Sequence, residues 1–175
     1  MDNSLALVYL SILVGLLAFA GVTVFRQVLK TRKLEGNLSR LRNKLTKEKG
    51  TAQEYYELGS IYSDKKLFSQ AIPLFQKALK AAEEEQEEEN VAPIYNALGY
   101  TYFAQEQYDL AIRNYKEALK VKPDYVVALN NLGHAYERKK LNAQALQMYE
   151  EALKFAPSNT TAKRRAESLR RLVSA

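Results

Sequence analysis

The chain has 175 residues, 47% of them hydrophobic, and a formal net charge of +6, so one domain with an appendage is expected. It contains no cysteine and one histidine, which excludes disulfides, thiol catalysis and thiolate metal sites. The charge is segregated: residues 1–50 carry +6, residues 51–158 carry −4 and residues 159–175 carry +4. The basic excess therefore lies in the flanks, and a nucleic-acid function inferred from the total charge would misplace it.

The N-terminal segment, residues 1–25, contains an uncharged run that begins at Leu5 and ends at Phe25. A helix of that length, at about 1.5 Å per residue, crosses the roughly 30 Å hydrocarbon layer of a bilayer. A cleaved signal peptide is the competing interpretation, because Ala18 and Ala20 have the small-residue spacing of a cleavage site. The length of the run and the lack of Lys or Arg before it favour a retained membrane anchor. Two interpretations of its small residues stay open: they contact another membrane helix, or they have no special role, because small residues are common in membrane spans. These residues are Ser11, Gly15 and Ala18.

Residues 26–50 are strongly basic and predict a juxtamembrane helix. The positive charges after the span predict that the rest of the chain lies on the cytoplasmic or stromal side, with the N-terminus in the lumen: Arg26, Lys30, Arg32 and Lys33. Four leucines form a narrow seam: Leu34, Leu38, Leu41 and Leu45. A spacer or membrane-hugging helix is favoured over dimerisation, because two heptads are too few to indicate a coiled coil. Gly50 is the expected stop.

Residues 51–157 contain three copies of one pattern, in residues 51–82, 91–123 and 125–157. The second copy carries it in full: Tyr95, Leu98, Gly99, Tyr102, Ala111, Tyr115, Ala118 and Pro123. The third repeats it 34 residues later: Leu129, Leu132, Gly133, Tyr136, Ala145, Tyr149, Ala152 and Pro157. The first lacks only the proline: Tyr55, Leu58, Gly59, Tyr62, Ala71, Phe75 and Ala78. Each copy predicts two amphipathic helices that pack on each other.

Glycine inside a helix costs about 1 kcal/mol relative to alanine, so Gly99 predicts a helix crossing too close for a side chain. Ala111 and Ala118 predict an equally close approach from the facing helix, and Tyr115 is expected to fill the space between them. The spacing resembles the tetratricopeptide repeat, which has a period of 34 residues. That resemblance implies an all-α solenoid that binds other proteins.

Two segments depart from the pattern. An acidic run begins at Glu83 and ends at Asn90, and predicts that the helix before it ends near Ala82, because the charges oppose the helix dipole. Two interpretations of the run stay open: a solvated loop, or an acidic patch that meets a basic partner or the chain's own basic flank. Pro93 suits the first turn of the next helix. Residues 158–175 predict a basic capping helix that begins at Ser158 or Asn159. Its apolar side is expected to cover the third repeat and its charges to point outward: Ala162, Ala166, Leu169 and Leu172 inside, with Lys163, Arg164, Arg165, Arg170 and Arg171 outside.

The first helix of each pair is expected to line a concave surface. We call its positions that are not used in packing the candidate groove: Tyr56, Ser60, Asn96, Tyr100, Phe103, Asn130, His134 and Glu137. Tyr100 and Phe103 are the expected anchors for a protein partner, unless they fill the junction between repeats. His134 has no second histidine or cysteine to share a metal, and the repeat glycines are explained by packing. We therefore expect no enzyme, no cofactor and no metal site.

Four stretches resemble one particular family: FRQVLKTRK, KLTKEKGTAQEYYELGS, KKLFSQAIPLFQKALK and YFAQEQYDLAI. They are similar to the membrane-anchored tetratricopeptide assembly factor for photosystem I of cyanobacteria and plastids. The resemblance implies a thylakoid scaffold whose partners are photosystem I subunits or assembly intermediates. The alternative is a membrane receptor that docks soluble cargo or a chaperone. In some repeat domains of this fold a groove of lysines and asparagines holds chaperone C-termini; Tyr56 and Ser60 stand at two of those positions, which disfavours chaperone docking. The oligomeric state stays open.

Overall fold

The structure is a computed structural model that describes residues 3–86 and 91–173. In those residues the chain forms eight α-helices, α1 to α8. Their bounds are α1 Asn3–Leu45, α2 Ala52–Asp64, α3 Phe68–Glu84, α4 Val91–Ala104, α5 Tyr108–Val121, α6 Val126–Arg138, α7 Asn142–Phe155 and α8 Thr160–Val173. The predicted all-α architecture of repeat hairpins with a capping helix is confirmed.

The chain divides into two compact units, Met1–Lys44 and Leu45–Ala175. The first consists of α1, which continues without a break from the predicted span into the predicted basic helix. Among the described residues, the part from Leu7 to Leu45 is the one helix long and apolar enough to cross a membrane. A signal sequence can meet the same criteria of length and composition. The large apolar side chains from Leu7 to Leu29 are exposed, as expected of a helix that meets lipid. Of the predicted leucine seam, Leu38 is half-buried and Leu41 is buried.

The second unit stacks three helical hairpins, α2–α3, α4–α5 and α6–α7. The first hairpin starts with a capping box at Thr51, whose Oγ1 accepts from the Glu54 N–H at 3.2 Å while Glu54 Oε2 accepts from the Thr51 N–H at 3.2 Å. Such reciprocal bonds satisfy donors that a helix start leaves unpaired. The second helix of the middle hairpin ends at Val121, two residues before Pro123, as predicted.

Each repeat glycine lies against an aromatic ring of the facing helix. A Cβ atom at Gly99 would lie 2.7 Å from the ring of Tyr115 and 3.2 Å from the backbone oxygen of Ala111. The other two hairpins repeat the crossing with a closest approach of 2.9 Å: Gly59 against Phe75, and Gly133 against Tyr149. The predicted close crossings are confirmed in all three repeats.

The acidic run begins inside α3, which ends at Glu84, two residues after the predicted end. Glu84 forms an ion pair with Lys49, and the Glu85 carboxylate accepts from the Ala52 N–H at 3.2 Å. The start of the acidic run therefore contacts the chain's own basic flank, as in the second interpretation of the run. Its remaining residues, 87–90, lie outside the described residues.

The capping helix α8 starts after Asn159, whose Oδ1 accepts from the Ala162 N–H at 2.9 Å. Ala162, Ala166 and Leu169 are buried against the third repeat, as predicted. The prediction for Leu172 was wrong: its side chain is 62% exposed. It lies near the free end of the helix, beyond the surface that α7 covers.

Candidate functional site

The candidate groove lies on the three first helices, α2, α4 and α6. Besides packing on its own second helix, α4 contacts α2 on one side and α6 on the other. The first helices therefore form a continuous inner layer, the layer that lines the concave side in such stacks. All eight candidate residues belong to these three helices.

The centre of the candidate groove is aromatic. The ring of Phe103 on α4 lies 4.8 Å from the imidazole of His134 on α6, measured between ring centroids. A second contact at 5.4 Å joins Phe103 to Tyr108, and Phe103 also packs against the hydrophobic core. Tyr100, by contrast, is 51% exposed. Of the two expected anchors, Phe103 thus fills the junction between repeats and Tyr100 presents its ring to solvent.

Amide side chains lie between α4 and α6. Asn131 Nδ2 donates to Asn96 Oδ1 at 2.9 Å, so Asn96 is partly engaged within the protein. Asn130 Oδ1 is buried and has no hydrogen-bond partner among the described residues. A buried acceptor without a donor costs free energy, so Asn130 is an unsatisfied polar position of the candidate groove. Asn131 is not among the groove residues predicted from the sequence.

Glu137 forms hydrogen bonds within the protein. Its Oε1 accepts from the Tyr149 hydroxyl at 2.6 Å, and its Oε2 accepts from Arg165 Nη1 at 3.2 Å. Burial and the Glu137 carboxylate raise the pKa of Tyr149 above its ordinary value. The prediction that Arg165 points outward was wrong, because it reaches back from α8 to this carboxylate. Arg170 is likewise engaged, with two hydrogen bonds to Glu150 at 3.0 and 2.8 Å.

The end of the candidate groove in the first repeat is formed by Tyr56 and Ser60, both half-buried. The ring of Tyr56 lies 6.0 Å from that of Phe75 and packs on the core of this repeat. The pKa of Tyr125, just before α6, is raised mainly by burial and to a smaller extent by Tyr56. Tyr56 therefore contributes to packing as well as to the surface.

His134 is half-buried beside Phe103. Burial lowers the pKa of its imidazole below the ordinary value of 6.5, Arg165 and Arg138 lower it further, and Glu137 opposes them. In the parts of the chain that the structure describes, no group of three or more His, Asp or Glu residues is arranged to hold a metal ion. The imidazole and the Phe103 ring are tilted by 41° to each other, so this part of the candidate groove is aromatic.

The tetratricopeptide repeat matches the chain over residues 50–124 and again over residues 96–160. The chain therefore belongs to the tetratricopeptide-repeat family, a family of scaffolds for protein interaction. The uncharacterized protein ycf37 of Cyanophora paradoxa is 42% identical over 132 residues, which cover 75% of each chain. The chloroplastic protein PYG7 of Arabidopsis thaliana, also named for its tetratricopeptide repeat domain, is 36% identical over 130 residues, 74% of this chain and 42% of that protein.

A solved structure shows the same fold at low sequence identity. The first repeat domain of Spaghetti (RPAP3), bound to an HSP90 peptide, has a TM-score of 0.65 and 19% identity, over 73% of this chain and 97% of that one. Identity this low carries the architecture alone, and the partner of that domain does not transfer.

Proposed function

We propose that this protein is a membrane-tethered scaffold that helps to assemble or stabilise photosystem I. The sequence stretches that resemble the assembly factor support this, as does the similarity to ycf37 and to the chloroplastic protein PYG7. The observation that carries the scaffold role is the inner layer of α2, α4 and α6, with Tyr100 exposed on it. Partner recognition uses this layer.

Tethering uses the N-terminal segment, residues 1–25, in which the large apolar side chains from Leu7 to Phe25 are exposed. The basic residues that follow place the repeats on the stromal or cytoplasmic side of the thylakoid, with the N-terminus in the lumen. In this arrangement residues 26–50 connect anchor and repeats, residues 51–157 bind the partner, and residues 158–175 close the stack. Deletion of residues 1–30 is expected to move the protein from membranes to the soluble fraction. Continued membrane association of the shortened chain would contradict the anchor.

The partner is tested by affinity purification of the full chain from solubilised thylakoid membranes. We expect photosystem I subunits to co-purify, whereas a chaperone or a translocon subunit in their place would support the cargo-receptor alternative. Tyr100→Ala is expected to weaken capture by about thirtyfold, the effect of removing one aromatic anchor worth about 2 kcal/mol.

The matched control for this substitution is Phe155→Ala at the end of α7. Phe155 is 48% exposed, close to the 51% of Tyr100, but it belongs to a second helix and lies outside the inner layer. Its removal is expected to leave capture unchanged. Equal losses in both variants would show that exposed aromatics act without regard to the candidate groove and would contradict the assigned surface.

A further inference from the structure

The capping helix α8 divides its charge between two sides. On the side that faces the repeats, Arg165 pairs with Glu137 and Arg170 pairs with Glu150. On the other side, Lys163, Arg164 and Arg171 are exposed, and none of them has an acidic partner in residues 3–86 or 91–173. Closing the stack therefore uses only part of the basic charge of this helix.

The three remaining cations share one face. Arg164 and Arg171 are seven residues apart, so they lie within about 20° of each other around the helix axis. Lys163 is about 100° from Arg164 around the axis and seven residues before Arg170, so it lies at the edge of this face, toward the repeats. Glu167 is the one acid of α8 and lies among them, which leaves this face with a net charge of +2. We call Lys163, Arg164 and Arg171 the outer cations.

At the end of α8, Leu172 follows Arg171 and adds exposed apolar surface at the border of this face. Its side chain is 62% exposed. Cationic side chains with an apolar end suit the boundary of a bilayer, where the charges meet lipid phosphates and the apolar groups meet acyl chains. An RNA partner fits less well, because α8 carries no aromatic side chain on which a base could stack.

We propose that the outer face of α8 binds the surface of a lipid bilayer that carries anionic headgroups. The inference rests on the proposed function, since the membrane anchor is what keeps a bilayer within reach of the repeats. A face with net charge +2 binds free vesicles weakly, but a tethered chain meets the surface at a high effective concentration. The contact gives the repeat stack a second attachment, which limits the directions in which the inner layer can face.

The test uses the absence of cysteine, because Ser168→Cys then gives a single labelling site. Ser168 is exposed and lies four residues after Arg164. The full chain with a nitroxide at this position is placed in lipid nanodiscs, made of phosphatidylcholine alone or with 30% phosphatidylglycerol. We expect collisions with a water-soluble nickel complex to fall at least about twofold in the anionic discs, and to recover at 0.5 M salt, where screening shortens to a few ångströms. A label at Ser69→Cys, exposed on α3, is expected to show no difference.

The charge requirement is tested with a triple variant, Lys163→Gln, Arg164→Gln and Arg171→Gln. Glutamine removes the charge and has a helix propensity similar to that of lysine and arginine. We expect the protection of the label to disappear while the thermal unfolding curve stays unchanged. The matched control removes the same charge from exposed residues of the repeats: Lys66→Gln, Arg113→Gln and Lys140→Gln. The control is expected to keep the protection.

Three outcomes would overturn the inference. The first is equal accessibility in both kinds of disc while the chain stays in them. The second is loss of protection in the control variant as well. The third is protection by an added single-stranded oligonucleotide but not by phosphatidylglycerol, which would assign the outer cations to nucleic acid. Escape of the chain from the discs would instead overturn the anchor, and with it this inference.

Discussion

Glycines occur in both α1 and the repeats, but their surroundings are opposite. A Cβ atom at Gly15 or Gly21 would meet nothing within 4 Å, whereas one at Gly99 would overlap the ring of Tyr115. The large apolar residues around Gly15 are exposed, whereas Leu98 beside Gly99 and Tyr115 opposite it are buried. The comparison teaches that apolar content alone does not show what covers a helix. Where a glycine recurs at a fixed distance from an aromatic residue, the glycine indicates contact with another helix of the same chain. Where it lies in an unbroken apolar run, it indicates a helix whose surroundings are not part of the chain.

The largest expected effect separates these two environments directly. Gly99→Val should lower the free energy of unfolding of the full chain in detergent by about 2–3 kcal/mol, because the added atoms overpack the crossing with Tyr115. Gly15→Val should leave that free energy unchanged. The measurement is chemical denaturation followed by circular dichroism. A comparable loss at Gly15 would show that α1 packs on something through this side, and so would break the comparison.

A smaller effect tests whether Glu137 belongs to the interior or to the candidate groove. Glu137→Ala should lower the free energy of unfolding by about 2 kcal/mol, because it leaves the Tyr149 hydroxyl and Arg165 without their shared acceptor. Tyr149→Phe in the same background should recover part of that loss. Glu151→Ala is the control: it removes a surface pair with Lys154 and should cost less than about 0.5 kcal/mol. A loss of partner capture with full stability would instead return Glu137 to the binding surface.

The smallest effect concerns the one histidine. Its imidazole signal in a nuclear magnetic resonance titration should give a pKa below 6.5, because burial and Arg165 disfavour the charged form. Arg165→Gln should raise this pKa and Glu137→Gln should lower it further. Because the unfolded chain binds the proton more readily, the stability contributed by His134 falls as the pH drops below 6.5 toward the folded pKa, and is constant above 6.5. A pKa at or above 6.5 would contradict the half-buried position of His134 beside Phe103 and near Arg165.

Several polar contacts escaped sequence reasoning for one physical reason. The hydroxyls of Ser63 on α2 and Thr101 on α4 lie 3.1 Å apart in the interior, and Thr101 is fully buried. In the sequence both look like solvent-facing residues, because a hydroxyl that bonds across a helix pair leaves no periodic signal. Arg165 shows the same problem, since a long side chain turns inward when an acceptor lies within reach.

The amino-acid sequence alone determined the repeats, their three glycine crossings and the apolar segment of α1. These depend on residue spacing along single helices, and helical periodicity converts spacing into a face without knowledge of the neighbours. Tertiary structure decided which polar side chains serve the interior. Among the described residues, it joined Glu137 to Tyr149 and Arg165, left Asn130 Oδ1 without a donor, and left the outer cations of α8 without an ion pair to the repeats. Those outcomes depend on distances between helices far apart in sequence, which the packing of the whole stack sets.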